Sequence, residues 1–203
     1  MKNTLRLITL VVTLVAVFTV GFAPFIPVTG TSTPHTTETN HVQPATTKST
    51  TATTVDAAGI FSLIVVQQPK SKAGYVSEEP EKLTQFSMAT KYGSQGFLAH
   101  NYLAGAYFSS LTVGSQITVT YADGSKQTFQ VQEIRSFQAT SPTSATSSFI
   151  DLATNKKLTA TQLFMQTYGV KGNLILQTCI AKDNQSSWGR LFVIASPVLG
   201  NAN

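Results

Sequence analysis

The chain has a single cysteine, Cys179, among its 203 residues. That excludes an intrachain disulfide and any paired-cysteine zinc motif, and leaves the thiol two roles: a small buried hydrophobe or a reactive group. Charge is also scarce. Fourteen Lys and Arg against nine Asp and Glu leave a formal net charge of +5, and no basic run is longer than the pair Lys156 and Lys157. Aromatic and basic residues do not interleave along any apolar stretch, so nucleic acid is not an expected partner. No glycine-rich nucleotide loop, no Cys-x-x-Cys, no His-Glu-x-x-His and no internal repeat can be found. Nothing in the chain asks for a cofactor or a metal.

What the chain does have begins with a short basic end, Lys2 and Arg6, followed by an uncharged apolar run from Leu7 to about Pro27. This pattern predicts a membrane segment over residues 1–28, with its charges on the cytoplasmic side and the rest of the chain exported. Gly21-Phe22-Ala23 followed by Pro24 matches a cleavage site poorly, so a retained single-pass anchor is favoured over a removed signal peptide. A cleaved segment would leave the protein secreted. Thr, Ser, Pro, Asn and Gln then dominate up to Thr54, with little to bury. Residues 29–58 are expected to form a disordered stalk, with His35 and His41 as solvated linker residues.

From Gly59 the composition changes, and residues 59–203 read as the folded domain. Ile60 to Val66 is a strand closed by Gln67-Gln68-Pro69. Lys70 to Pro80 is a polar loop; Glu78, Glu79 and Glu81 read as a solvated charge run and not as a calcium site. Leu83, Phe86 and Ala89 recur at helical spacing, which predicts a short helix over Glu81 to Tyr92 stopped at Gly93. Phe97-Leu98-Ala99 is apolar and ends in the polar pair His100-Asn101. The stretch from there to Gly114 fits either a loop or a short helical turn. Ile117, Val119 and Tyr121 alternate with polar residues, Asp123-Gly124 turns the chain, and Phe129 and Val131 alternate in return, the pattern of a hairpin. Ser136 to Ser148 is a Ser/Thr-rich loop and a candidate groove rim. Phe149 to Leu152 is a short strand or turn. Thr159 with Gln162 has the form of a capping box, and opens a helix over Ala160 to Tyr168.

Two further apolar runs, Leu174 to Cys179 and Arg190 to Ala195, flank a loop that holds Asp183, Asn184 and Trp188. If the two runs pair as neighbouring strands, the thiol of Cys179 and the guanidinium of Arg190 lie at one rim of a sheet. His100 also ends an apolar stretch. A thiolate is the attacking species in thiol acyl transfer, and a nearby cation favours it. A histidine can protonate an amide nitrogen, which is too basic to leave unprotonated. Arginine cannot act as that acid, but its rigid charged fork suits negative charge developing on a carbonyl oxygen. Asp183 or Asn184, near in the chain, could orient a catalytic group. Many short strands and two short helices predict an all-β barrel or sandwich with inserted helices, not a doubly wound fold.

Leu98-Ala99-His100, then Phe108, Leu111, Gly114 and Ile117-Thr118-Val119, then Leu174 to Cys179 and Arg190-Leu191-Phe192-Val193 resemble, in order, the motifs of the sortases, cysteine transpeptidases of the bacterial cell surface. The likeness spans about Ile60 to Ala195, with the anchor and stalk in the family's usual arrangement. It implies an eight-stranded β-barrel, held outside the bacterial cell membrane. It implies Cys179 as nucleophile, His100 as the acid for the departing amine and Arg190 as oxyanion donor. The implied partners are peptide sorting signals of surface proteins and an amine acceptor on a cell-wall precursor or pilin subunit. The residues leave two alternatives open: a thiol peptidase with water as acceptor, and a stalked β-domain that binds a surface peptide or polysaccharide with Cys179 buried.

Overall fold

The computed structural model describes residues 49–144 and 146–198. The membrane segment expected at 1–28 and most of the linker expected at 29–58 lie outside the described residues. Among the described residues no helix is long and apolar enough to cross a membrane.

In chain order the elements are β1 (Ala52–Ala57), β2 (Phe61–Gln67), β3 (Lys82–Phe86), α1 (Ser87–Lys91), β4 (Gln95–Leu98), a 3-10 helix (Ala104–Ser110), β5 (Gln116–Tyr121), β6 (Lys126–Ala139), β7 (Phe149–Asp151), β8 (Lys157–Leu158), α2 (Ala160–Tyr168), β9 (Leu174–Lys182) and β10 (Gln185–Pro197). Neighbouring strands run β10-β9-β4-β3-β2-β1-β5-β6, and a further pairing of β10 with β6 closes the ring. The result is the eight-stranded barrel expected, with β7 and β8 added beyond β6. The pairs β2–β3 and β4–β9 are parallel and the others antiparallel. A barrel of this size has an interior just wide enough for side chains to fill. Phe97, Phe108, Ile117, Val119, Phe129, Leu174, Leu176 and Val193 fill it here.

A second apolar cluster lies outside the ring. Phe137, Ile175, Phe192 and Ile194 gather there with Leu163 and Tyr168 of α2. Strands β9 and β10 are therefore covered on both faces, which explains why they read as continuous apolar runs and not as alternating ones. The Thr159–Gln162 capping box is formed.

Four expectations change. Residues 52–57, assigned to the stalk, form β1, a ring member paired with β2 on one side and β5 on the other. A register shift between Ala52 and Thr54 breaks the inward alternation, so a Thr-rich strand looks like linker. The helix expected over Glu81 to Tyr92 is strand β3 followed by the single turn α1. Leu83 faces the barrel core while Phe86 packs outside on Tyr168, a split that tertiary pairing imposes over the helical spacing. Strand β6 runs through Ala139 into the expected 136–148 loop. Finally, the loop expected between the last strands shrinks to a tight turn, since β9 extends to Lys182 and β10 starts at Gln185. Asp183 and Asn184 supply the turn with φ of 51° and 59°, the positive values that a two-residue hairpin turn of type I′ needs.

The extension of β6 is anchored by an ion pair. Arg135 Nη2 donates to Asp151 Oδ2 at 2.7 Å, and the Ala153 N–H donates to Oδ1 at 2.9 Å. Burial pushes the Asp151 carboxyl up, but the Arg135 hydrogen bond, the Ala153 N–H and the arginine's charge outweigh it and hold the group below the usual carboxylate range. A depressed carboxylate stabilises the fold above its unfolded value of about 3.9. That contribution is lost as pH falls through the folded value. Arg135→Met, which leaves a buried carboxylate short of a partner, is expected to lower the unfolding free energy by about 1–3 kcal/mol at pH 7 in urea titrations. In Asp151→Asn the loss of stability on acidification below about pH 4 should be smaller than in the wild type.

Candidate active site

Strand β9 carries the thiol, and its two neighbours carry the other candidates. In the β9–β10 ladder Cys179 pairs with Arg190 and Gln177 with Phe192. Directly opposed residues project to the same face with Cβ atoms about 5 Å apart. Thr178 and Leu176 point into the ring: Leu176 belongs to the barrel core, and Thr178 is buried. Gln177 instead accepts a hydrogen bond from the Tyr168 hydroxyl at 2.7 Å, on the outer side. Burial pushes the Tyr168 phenol well up, so it remains a donor to Gln177. Cys179, two residues on, shares that outer face and is half-buried.

His100 joins them through β4. The parallel ladder pairs Leu98 with Gln177, and one residue further the Ala99 N–H donates to the Gln177 carbonyl at 3.2 Å. Ala99 belongs to the barrel core, which leaves His100 on the outer side level with Cys179. The Thr178 hydroxyl donates to the Ala99 carbonyl at 2.9 Å and ties the two strand ends together. The two registers thus set Arg190 opposite Cys179 and bring His100, two residues beyond the Leu98–Gln177 pair, level with Cys179. Asp183 and Asn184 do not join them. They are exposed at the hairpin tip, where their role is conformational. Trp188 lies under Lys182 Nζ, 4.9 Å from its ring centroid.

The Arg190 guanidinium is anchored by its own strand: Nη1 donates to the Ser187 carbonyl at 3.0 Å and to the Gly189 carbonyl at 2.8 Å. Gly189 is a close approach, because a Cβ there would lie 2.5 Å from the Phe137 carbonyl oxygen. Beside Arg190 lies a recess of about 190 Å³ of mixed character, with Phe86, Phe149, Leu163 and Phe192 on its apolar side and Ser144, Thr167, Gln177 and Arg190 on its polar side. The rim is laced together: Asn101 Nδ2 donates to the Ser186 carbonyl at 3.2 Å and the Ser187 hydroxyl to the Pro142 carbonyl at 3.3 Å.

Three residues at the site escaped sequence reading. Tyr102 stacks on His100, with centroids 5.2 Å apart and planes at 21°. Glu78, read as part of a solvated charge run, has Oε1 3.8 Å from His100 Nε2. Gly105 opens the 3-10 helix against the site: its N–H donates to the His100 carbonyl at 3.0 Å. None has a sequence signal beyond position, since each contact depends on a loop path. Among the described residues no three His, Cys, Asp or Glu side chains gather as a metal site.

No family model and no curated protein matches the chain. Among solved structures it is similar to sortase C1 from Streptococcus agalactiae, at 17% identity and a TM-score of 0.44, over 73% of this chain and 67% of that one. It is also similar to sortase C1 from Streptococcus suis, at 12% identity and a TM-score of 0.46, over 74% of each chain. A third is sortase C from Clostridium perfringens SM101, at 10% identity and a TM-score of 0.45, over 75% of this chain and 72% of that one.

A methyl group on Gly105 would collide with the Thr178 hydroxyl and stand 2.7 Å from the His100 carbonyl oxygen. Gly105→Ala is therefore expected to cost roughly 1–3 kcal/mol of stability, the usual effect of overpacking a closed site, and to slow alkylation of Cys179 or its acylation. Denaturant unfolding measured beside thiol labelling checks both.

Proposed function

We propose that the protein is a sortase-like cysteine transpeptidase. The single observation that supports this reading is strand register: β9–β10 pairs Cys179 with Arg190, and β4–β9 ends at Leu98–Gln177, two residues before His100 and Cys179. In this reading Cys179 attacks the scissile carbonyl of a peptide sorting signal. Arg190, already oriented by two carbonyls of its own strand, steadies the developing oxyanion. His100 gives a proton to the departing amine nitrogen, leaving a thioester on Sγ. An amine on a cell-wall precursor or pilin subunit then attacks the thioester, returns a proton to the site and carries away the acyl chain.

The recess beside Arg190 supports a peptide substrate. Its phenylalanine and leucine side chains lie beside polar groups of Ser144, Thr167 and Gln177, so a residue of the sorting signal with an apolar body and a polar end could lodge there. The basic and apolar start of the chain supports a location at the outside of a bacterial membrane, with residues 1–28 as a single-pass anchor and the threonine-rich stretch as a spacer.

The test uses the full chain in detergent with a library of sorting-signal peptides, read by intact mass. A peptide adduct on Cys179 is expected, and should be absent in Cys179→Ala. Arg190→Ala should lower kcat by on the order of 10²–10³, the usual effect of removing one oxyanion donor. His100→Ala should lower it by a similar factor. A folded wild type with a reactive thiol and no adduct from any peptide would sink the reading. Amide product that rises with added amine separates transfer from hydrolysis.

A further inference from the structure

We infer that Glu78 is a positioning residue for His100, its carboxylate accepting a hydrogen bond from Nε2–H and so leaving Nδ1 for proton transfer. This rests on the acyl-transfer reading above. His100 Nε2 has no solvent contact and no hydrogen-bond partner, although the side chain as a whole keeps 27% of its exposure. A buried ring nitrogen of this kind calls for a partner. Glu78 Oε1 stands 3.8 Å from it, about 1 Å beyond a charge-assisted hydrogen bond.

The chain path explains why this carboxylate is present. Ser77 is buried, and its N–H donates to the Thr84 hydroxyl at 2.8 Å. Thr84 of β3 is in turn the register partner of Leu98, two residues before His100. On the other side, the Glu79 N–H donates to the Ser77 hydroxyl at 3.2 Å and the Glu79 carboxylate pairs with Lys82. The flanking residues are thus pinned to the strand next to β4. The Glu78 side chain, 79% exposed, makes no hydrogen bond among the described residues and is able to move through the last ångström.

The other groups around the imidazole leave this role to Glu78. The Tyr102 ring is stacked on it and restrains the ring plane. Cys179 and Arg190 are paired across β9 and β10, and the β4–β9 register ends two residues before His100 and Cys179. With Nε2–H held by a carboxylate, Nδ1 takes the proton that the Cys179 thiol releases on becoming a thiolate, and the resulting imidazolium gives that proton from Nδ1 to the departing amine. The C–N bond breaks with its electron pair remaining on nitrogen, the acyl carbon stays bonded to Sγ, and Glu78 neither gains nor loses a proton. When the imidazole is protonated, the carboxylate also balances its charge as a peptide excludes water.

The experiment compares the full-length wild type with Glu78→Gln and with Glu81→Gln, an exposed neighbour outside these contacts. One readout is the rate of peptide adduct formation on Cys179. The other is the imidazole ¹⁵N shifts of His100, which report the tautomer and are assigned with His100→Gln. Glu78→Gln keeps the side chain's size and removes its charge. It is expected to slow adduct formation by on the order of ten-fold, a fraction of a general acid's usual contribution, and to move the His100 shifts. Glu81→Gln should match the wild type in both. If the wild type forms its adduct while Glu78→Gln leaves either the rate or the shifts unmoved, the role of Glu78 is overturned alone. A wild type that forms no adduct removes the acyl-transfer reading, and this inference with it.

Discussion

Strand β9 is hydrogen-bonded along both edges, in parallel to β4 and antiparallel to β10, and its residues Leu174, Ile175 and Leu176 are buried toward both faces. Very little freedom remains to a strand held in this way. Its register cannot slip by one residue without sending the buried set to the wrong side, so the position of the thiol at its far end is inherited from the packing. His100 and Arg190 are placed by the same two ladders. The candidate site is the outcropping of one doubly clamped strand, and the outer cluster of Phe137, Phe192 and Tyr168 supports that end of the strand from outside the ring.

Much of this was legible in the chain. The last two apolar runs, the hairpin around Asp123-Gly124 and helix α2 were written in local patterns. The capping box from Thr159 to Gln162 left little choice for α2. Strand β1 was hidden because its place in the ring comes from pairing with β2, just after it, and with β5 at Gln116–Tyr121, far along the chain, and not from its own composition. Strand β3 was misread for the same reason: Leu83 and Phe86 satisfy a helical spacing, but they bury on opposite sides of a barrel wall. Turn chemistry was overlooked at Asp183-Asn184, where no glycine announces the positive φ.

At the site the pattern of success is similar. Cys179, Arg190 and His100 stand at the ends of apolar runs, and strand pairing turns such positions into neighbours. Glu78, Tyr102 and Gly105 reach the site through loops, whose paths are set by contacts such as Ser77 on Thr84 and the Gly105 N–H on the His100 carbonyl. A sequence offers no period from which to read these. The functional elements divide accordingly: a rigid trio delivered by the barrel, and a surrounding set delivered by loop geometry.

Closure of the strand ring also governs how these domains behave toward one another. An open sheet presents rows of unpaired N–H and C=O groups on which a second chain can add strands. Here the borders that remain are β8, two residues long and carrying Lys157, and the tip of the β9–β10 hairpin, with Lys182 and Asp183. Both are short and charged. Among the described residues the closed ring thus leaves little template for edge-to-edge association between copies of the barrel.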